Sequence, residues 1–255
     1  DKLGMPYWAT LPFAAALCFV VGLLMGFPAL RLGGHYLALA TYALALAVPQ
    51  LLKYKTIEGL TGGVQGIVLN KPEPPFTFRF LGQPFNADRW LYFFTLVVAL
   101  LMFLLAWNLV RGRVGRALIA IRDHPIAATA MGINLPLFKS LTFGVSAAYT
   151  GVAGALGAVC VAFVSPDSFG VFLSISFLVG VVIGGLASIP GAIFGAIFIQ
   201  FVPNIADELS KAAPSAVFGA ALIGAMYLMP AGVMGMLKGL WARWRQGAAP
   251  TSGPR

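Results

Sequence analysis

Hydrophobic residues run through this chain in long uncharged stretches, not in the narrow stripes of a water-facing amphipathic helix. A membrane-spanning helix needs about 20 such residues, because each residue rises about 1.5 Å through an apolar core about 30 Å thick. Residues 5–30, 32–52, 90–110, 140–166 and 212–237 each reach that length without a charge. Residues 168–206 are also uncharged throughout, which is too long for one span. Ser188, Ile189, Pro190 and Gly191 interrupt that stretch near its middle, and Pro and Gly punctuate helices. The pattern predicts two tightly turned, slightly short helices there, for about seven spans in all. A re-entrant pair that does not fully cross is the alternative. The expected fold is an all-α, polytopic helical membrane protein forming a single domain over residues 1–255.

Composition agrees with the pattern. The chain of 255 residues is 59% hydrophobic and only 10% charged, against about 25% charged residues in a soluble domain. Its mean hydropathy is +0.87. The first apolar run is too long for a signal-peptide core and no small-residue cleavage site follows it, so it is expected to stay in the mature chain. There is no Met at residue 1, so the chain is expected to be a fragment or a processed product. Cys18 and Cys160 lie inside apolar runs and read as small core hydrophobes, not as a disulfide or metal site.

The net charge of +9 sits between the apolar runs, which points to membrane orientation and not to nucleic acid. Residues 111–139 hold Arg111, Arg113, Arg116, Arg122 and Lys139 against Asp123 alone. The tail, residues 238–255, holds Lys238, Arg243, Arg245 and Arg255 with no acid. Both segments are expected in the cytoplasm, with the first residue outside. The four spans between them make the two assignments agree. The segment 53–89 then falls outside, as an extended extracytoplasmic loop, although it carries five basic residues beside three acids. Its Lys71-Pro72-Glu73-Pro74-Pro75 run marks it as a polar excursion, and longer loops obey the charge rule less strictly.

Glycines recur four residues apart at Gly22/Gly26, Gly180/Gly184, Gly191/Gly195 and Gly235/Gly239, a spacing that puts both on one helix face and lets backbones approach. Either ordinary membrane packing or a moving, pore-lining seam uses such faces. Trp90, Tyr92, Trp241 and Trp244 sit at span ends and suit an interfacial aromatic belt. No acid lies inside any span, which disfavours an ion- or proton-coupled carrier. No phosphate-binding G-x-x-x-x-G-K-[ST] loop, zinc-binding H-E-x-x-H or nucleophile elbow occurs. No enzymatic activity, catalytic residue, metal or cofactor is therefore expected of this chain.

The segment 111–139 is too charged to span and too apolar for a plain linker. Asp123 is expected to cap a short helix that opens at His124-Pro125, since Pro suits a first turn where its missing N–H costs nothing. Gly132 is expected to close that helix in a left-handed conformation, over residues 125–132. Ala127, Ala128 and Met131 would share overlapping faces of it. An amphipathic connector and a docking helix for a cytoplasmic partner both fit.

These residues carry a resemblance. The run Gly115-Arg116-Ala117-Leu118-Ile119-Ala120-Ile121-Arg122-Asp123, followed by Ile126-Ala127-Ala128 and Met131-Gly132-Ile133-Asn134, resembles the cytoplasmic loop of branched-chain amino-acid ABC transporter permeases of the LivM type. Pro28-Ala29-Leu30-Arg31-Leu32 with Tyr36-Leu37-Ala38-Leu39-Ala40-Thr41, Leu60-Thr61-Gly62-Gly63 with Gly66-Ile67, and Phe163-Val164-Ser165-Pro166-Asp167-Ser168-Phe169 match that family in order. Gly184-Gly185-Leu186-Ala187-Ser188 with Pro190-Gly191 completes the set. The likeness covers roughly residues 6–240. Two features depart from the family. Ile126 stands where the E-A-A-x-x-x-G pattern has Glu, which removes the basis for a salt bridge from that position, and further N-terminal spans of the family are missing.

The resemblance implies a permease subunit of a bacterial ABC importer in the inner membrane. It implies a homologous second permease, two cytoplasmic ATPase subunits and an extracytoplasmic solute-binding protein as partners, with membrane lipid around them. Arg122, Asp123, Pro125, Ala127, Ala128, Met131 and Gly132 would then couple to the ATPase. Leu, Ile or Val is the implied cargo, with urea and short amides as the family's alternatives. A zwitterion needs polar contacts without net countercharge, so Thr41, Ser146, Thr150, Ser174, Ser176 and Gln200 are candidate pathway residues; bonds to their own helix backbones are the competing use. A secondary carrier or channel for a small neutral or zwitterionic solute, without an ATPase, is the rival reading.

Overall fold

A computed structural model describes residues 6–29, 35–56, 58–72, 79–80, 83–84 and 86–209, with 219–220, 222–224, 227, 232–237 and 239 beyond them. The expected span over 212–237 lies largely outside the described residues, and the tail from 240 lies wholly outside them. The chain forms two compact units, Asp1–Gly170 and Val171–Arg255.

The first unit contains α1 (Tyr7–Ala29), α2 (His35–Leu52), α3 (Glu58–Thr61), α4 (Ala87–Arg111), α5 (Arg113–Asp123), α6 (Pro125–Ala130) and α7 (Leu135–Val161). Three of these meet the length and apolarity of a full span: residues 7–27, α4 and α7. Leu39–Leu52 of α2 is a shorter apolar helix. Most side chains on these helices are exposed, large hydrophobics included. Such surfaces belong in lipid or against other membrane helices. The chain is a polytopic helical membrane protein.

Glycine decides how α1 meets α7. The two helices run antiparallel. A Cβ on Gly22 would stand 2.4 Å from the Ala147 Cβ, and one on Gly26 3.1 Å from the Ser140 Cα. At Gly151 it would lie 2.7 Å from the Ala14 carbonyl. The Ser140 hydroxyl donates to the Leu23 carbonyl at 3.2 Å across the same seam. The Gly22/Gly26 face therefore serves close backbone packing.

At one end of this unit the N-terminus of α1 meets the start of α4, where the Trp90 indole donates to the Tyr7 hydroxyl at 3.0 Å. The same end holds a two-stranded antiparallel ribbon, β1 (Ile67–Val68) with β4 (Phe163–Val164), in the register Ile67↔Val164. β2 (Arg79–Phe80) and β3 (Gln83–Pro84) form a second small ribbon. Gly62, Gly63 and Gly66 all have positive φ, and a Cβ on Gly66 would meet the Val164 carbonyl at 2.5 Å. The Thr61 hydroxyl donates to the Leu52 carbonyl at 2.8 Å, closing the turn after α2. Two glycine- and proline-marked stretches about 100 residues apart are thus one structure. Lys53 pairs with Asp167 across it. That pair is exposed on the acid side, so Asp167→Asn is expected to cost less than about 1 kcal/mol in thermal unfolding.

The second unit contains a helical hairpin of α8 (Val171–Gly184) and α9 (Ile189–Leu209). Gly184 faces Gly191 and Gly180 faces Gly195, with would-be Cβ atoms 2.1–2.5 Å from the opposing carbonyls across the Gly184–Gly191 pair. The expected break is present. The turn falls on residues 185–188, and Pro190 lies in the first turn of α9, where a missing N–H is harmless. With 14 residues α8 is roughly 21 Å long. That is shorter than the apolar core of a bilayer.

Candidate functional site

The segment after α4 turns twice within a few residues. The Gly112 N–H donates to the carbonyls of Asn108 (2.9 Å) and Leu109 (3.3 Å), ending α4. α5 starts at once. Gly115 makes this corner possible, because a Cβ there would stand 1.9 Å from the Val110 carbonyl oxygen. α5 buries Gly115 and Ile121 and leaves Arg113, Arg116 and Arg122 exposed. This amphipathic stripe is what a helix lying along a surface requires.

The short helix that follows differs in detail from the sequence expectation. Asp123 is the last residue of α5, and its carboxylate pairs with Arg122 at 2.9 Å. The residue at the N-cap of α6 is His124, whose side chain makes no capping bond. Asp123 does not cap α6 because α5 runs through it and leaves His124 at the N-cap position. α6 itself ends at Ala130, not at 132. Gly132 does adopt a left-handed conformation, with φ of 82°. Its N–H donates to the Thr129 carbonyl at 2.9 Å, and the Ile133 N–H reaches the Ala128 carbonyl at 3.0 Å. This is a Schellman closure, which satisfies the last carbonyls of the helix. Asn134 then caps α7, accepting from the Leu137 N–H at 3.2 Å.

The faces of α6 are distributed differently from the sequence reading. Ala128 is only 3% exposed and is packed into the protein's own surface. Ala127 and Met131 face outward, as do Pro125, Arg122 and Asp123. Met131 is 84% exposed, and Ile126, which the site expectation omitted, is 85% exposed. Ile126 on α6 and Met131 at its C-cap are thus two large apolar side chains that no described residue of this chain covers. The signal for Ile126 was its apolar character at a position where the resemblance led one to look for Glu.

The six candidate pathway residues are spread over several helices. Thr41 donates to the Leu37 carbonyl at 3.0 Å, Thr150 to Ser146 at 3.0 Å and Ser176 to Phe172 at 2.9 Å. Each is a bond to the preceding turn of its own helix. Ser146, Ser174 and Gln200 lie on helix surfaces, with Ser146 one turn before Thr150 on α7. A groove of about 330 Å³ lies between α4, α5 and α7, and none of the six lines it. Among the described residues no group of His, Cys, Asp or Glu is placed to hold a metal ion.

Comparison with known proteins gives a consistent family. The family described as branched-chain amino acid transport system / permease component matches residues 1–229. The chain is 32% identical to the high-affinity branched-chain amino acid transport system permease protein LivM of Escherichia coli K12, over 92% of this chain and 59% of that protein. It is 31% identical to the permease protein LivH of the same system and organism, over 59% of this chain and 47% of LivH. It is 28% identical to the autoinducer 2 import system permease protein LsrC of Salmonella paratyphi B, over 78% of this chain and 48% of LsrC. The chain spans about half to three fifths of the length of the curated relatives it matches. No solved structure matches. The chain belongs to the branched-chain amino acid transport system permease family.

Proposed function

From that membership we propose that the chain is the translocating subunit of an ABC importer in a bacterial inner membrane, carrying Leu, Ile or Val with ATP hydrolysed by partner subunits. Urea, short amides or another small polar solute are the alternative cargoes. The partners are two cytoplasmic ATPases, a homologous second permease and an extracytoplasmic solute-binding protein. The observation that carries the reading is the α5–α6 elbow, closed by backbone hydrogen bonds, with Ile126 and Met131 bare on its outer side. An apolar knob of this size fits a cleft in a cytoplasmic partner. Closure of the ATPases on ATP would push the elbow and shift the membrane helices between outward and inward access.

Uptake of labelled leucine into proteoliposomes holding the assembled complex is expected to need internal ATP and the solute-binding protein. Uptake by this chain alone, driven by an ion gradient, would establish the secondary-carrier reading instead. The purified subunit is expected to hydrolyse no ATP, since it has no phosphate-binding loop. Turnover that survives removal of contaminating ATPases would count against this.

The orientation follows from the basic loops: residue 1 outside, Arg255 inside. With Cys18 and Cys160 replaced, single cysteines at Thr77 and Ser252 are expected to label from opposite faces of the membrane. Labelling of both from one side overturns the topology. Tyr7 and Trp90, together with the β1–β4 ribbon, gather at one end of the first unit, which supports placing these segments on one side of the membrane.

A further inference from the structure

The groove between α4, α5 and α7 is mostly apolar. Its walls are Leu105, Leu109, Val114 and Val145, with Tyr149 and Asn108. The Tyr149 hydroxyl donates to the Met102 carbonyl at 3.3 Å, bridging α7 to α4. Gly112 and Arg113 also line the groove, at the end where α4 leaves its apolar run.

Charge is concentrated at that end. Arg111, Arg113 and Arg116 are all exposed. Arg113 and Arg116 are three residues apart on α5 and so neighbour each other on its surface. The Arg111 guanidinium lies 4.5 Å from the ring centre of Trp107, a side chain suited to the headgroup level. No acid occurs in the sequence between Asp88 and Asp123, and Asp123 is engaged by Arg122. The other described acids of this unit, Glu58, Asp88 and Asp167, lie at its opposite end.

An apolar slot about 330 Å³ in volume, with Arg113 in its wall and Arg111 and Arg116 close by in the chain, suits an amphiphile with an anionic head. We propose that this groove holds an anionic glycerophospholipid, with an acyl chain along Leu105, Leu109, Val114 and Val145 and the phosphate among Arg111, Arg113 and Arg116. The amphipathic α5 then rests on the headgroup layer. The bound lipid fixes the angle between α4 and α5 from which α6 hangs.

The test uses the full chain assembled with its partner subunits in mild detergent. Native mass spectrometry reads the lipid retained after supplying phosphatidylglycerol or phosphatidylcholine of matched chains. One phosphatidylglycerol per chain is expected, favoured at least tenfold over phosphatidylcholine. The double change Arg113→Gln with Arg116→Gln is expected to weaken retention by roughly twenty-fivefold, at about fivefold for each basic residue near an anionic surface. Arg113→Lys with Arg116→Lys is expected to retain it. Val145→Phe fills the slot and is expected to lose the lipid with all arginines present. Inorganic phosphate at millimolar levels is expected not to displace it. Equal retention of both lipids, full retention in the Val145→Phe variant, displacement by phosphate, or no lipid because a partner subunit occupies the groove each overturns the proposal. Circular dichroism and intact assembly confirm that each variant is folded.

Discussion

Replacing Met131 by Asp is expected to leave membrane insertion intact, to detach the ATPase and to abolish uptake. Met131 and Ile126 are among the most exposed large hydrophobics of the protein. Covering such a side chain contributes roughly 1.5–3 kcal/mol. Losing one of them and desolvating a new carboxylate in its place should weaken ATPase binding by about 10- to 100-fold. Ile126→Asp is expected to behave alike. Gly132→Val acts through the backbone alone, because nothing lies within 4 Å of a Cβ placed there. A left-handed conformation costs an ordinary L-residue roughly 1–2 kcal/mol, and a branched one tolerates it least. Gly132→Asn, which tolerates that conformation, should keep most transport. Ala128 is the wrong residue to change. A charge there would be buried in the protein's own surface and would break the elbow whatever its role. If Met131→Asp and Ile126→Asp both import at the unaltered rate with the ATPase bound, α6 is a connector and the coupling role fails.

The second large effect is expected in the α8–α9 hairpin. A Cβ at Gly184 would stand 2.1 Å from the Gly191 carbonyl oxygen, and one at Gly195 2.2 Å from that of Gly180. Backbone atoms cannot rotate aside, so the helices must separate. Gly184→Ala is expected to cost about 1–3 kcal/mol, the usual penalty for overpacking, and Gly184→Leu more. Gly154 on α7 is the control, since nothing lies within 4 Å of its Cβ position. Gly154→Ala is expected to be neutral or to stabilise by up to about 1 kcal/mol, since Ala is the better helix former. Thermal unfolding in detergent, followed by gel filtration, separates the two, with a shift of several degrees for Gly184→Ala. Equal melting of the two variants would mean the hairpin contact is not made.

The amino-acid sequence by itself determined that this is a helical membrane protein, and where most of its helices run. Length without charge is a local property, and lipid punishes every exception. The break before Pro190 and the left-handed Gly132 were legible for the same reason, since proline and glycine act on their own backbone. The order of family motifs was legible too, because it needs no third dimension. Tertiary structure alone decided which side of each element is used. Ala127, Ala128 and Met131 are all apolar and all within or at the end of one short helix, and only packing chose Ala128 as the buried one. Asp123 had the chemistry of a cap, but α5 extends through it and the cap position falls on His124. Whether the hydroxyls of Thr41, Thr150 and Ser176, candidate pathway residues, bond their own helix backbones was open in the sequence, and in the fold each bonds the preceding turn. The union of the Gly62-Gly63 stretch with the Ser165-Pro166 stretch joins residues about 100 apart. No local pattern specifies such a contact, because the partner is brought there by the path of α4 through α7 and not by its own neighbours.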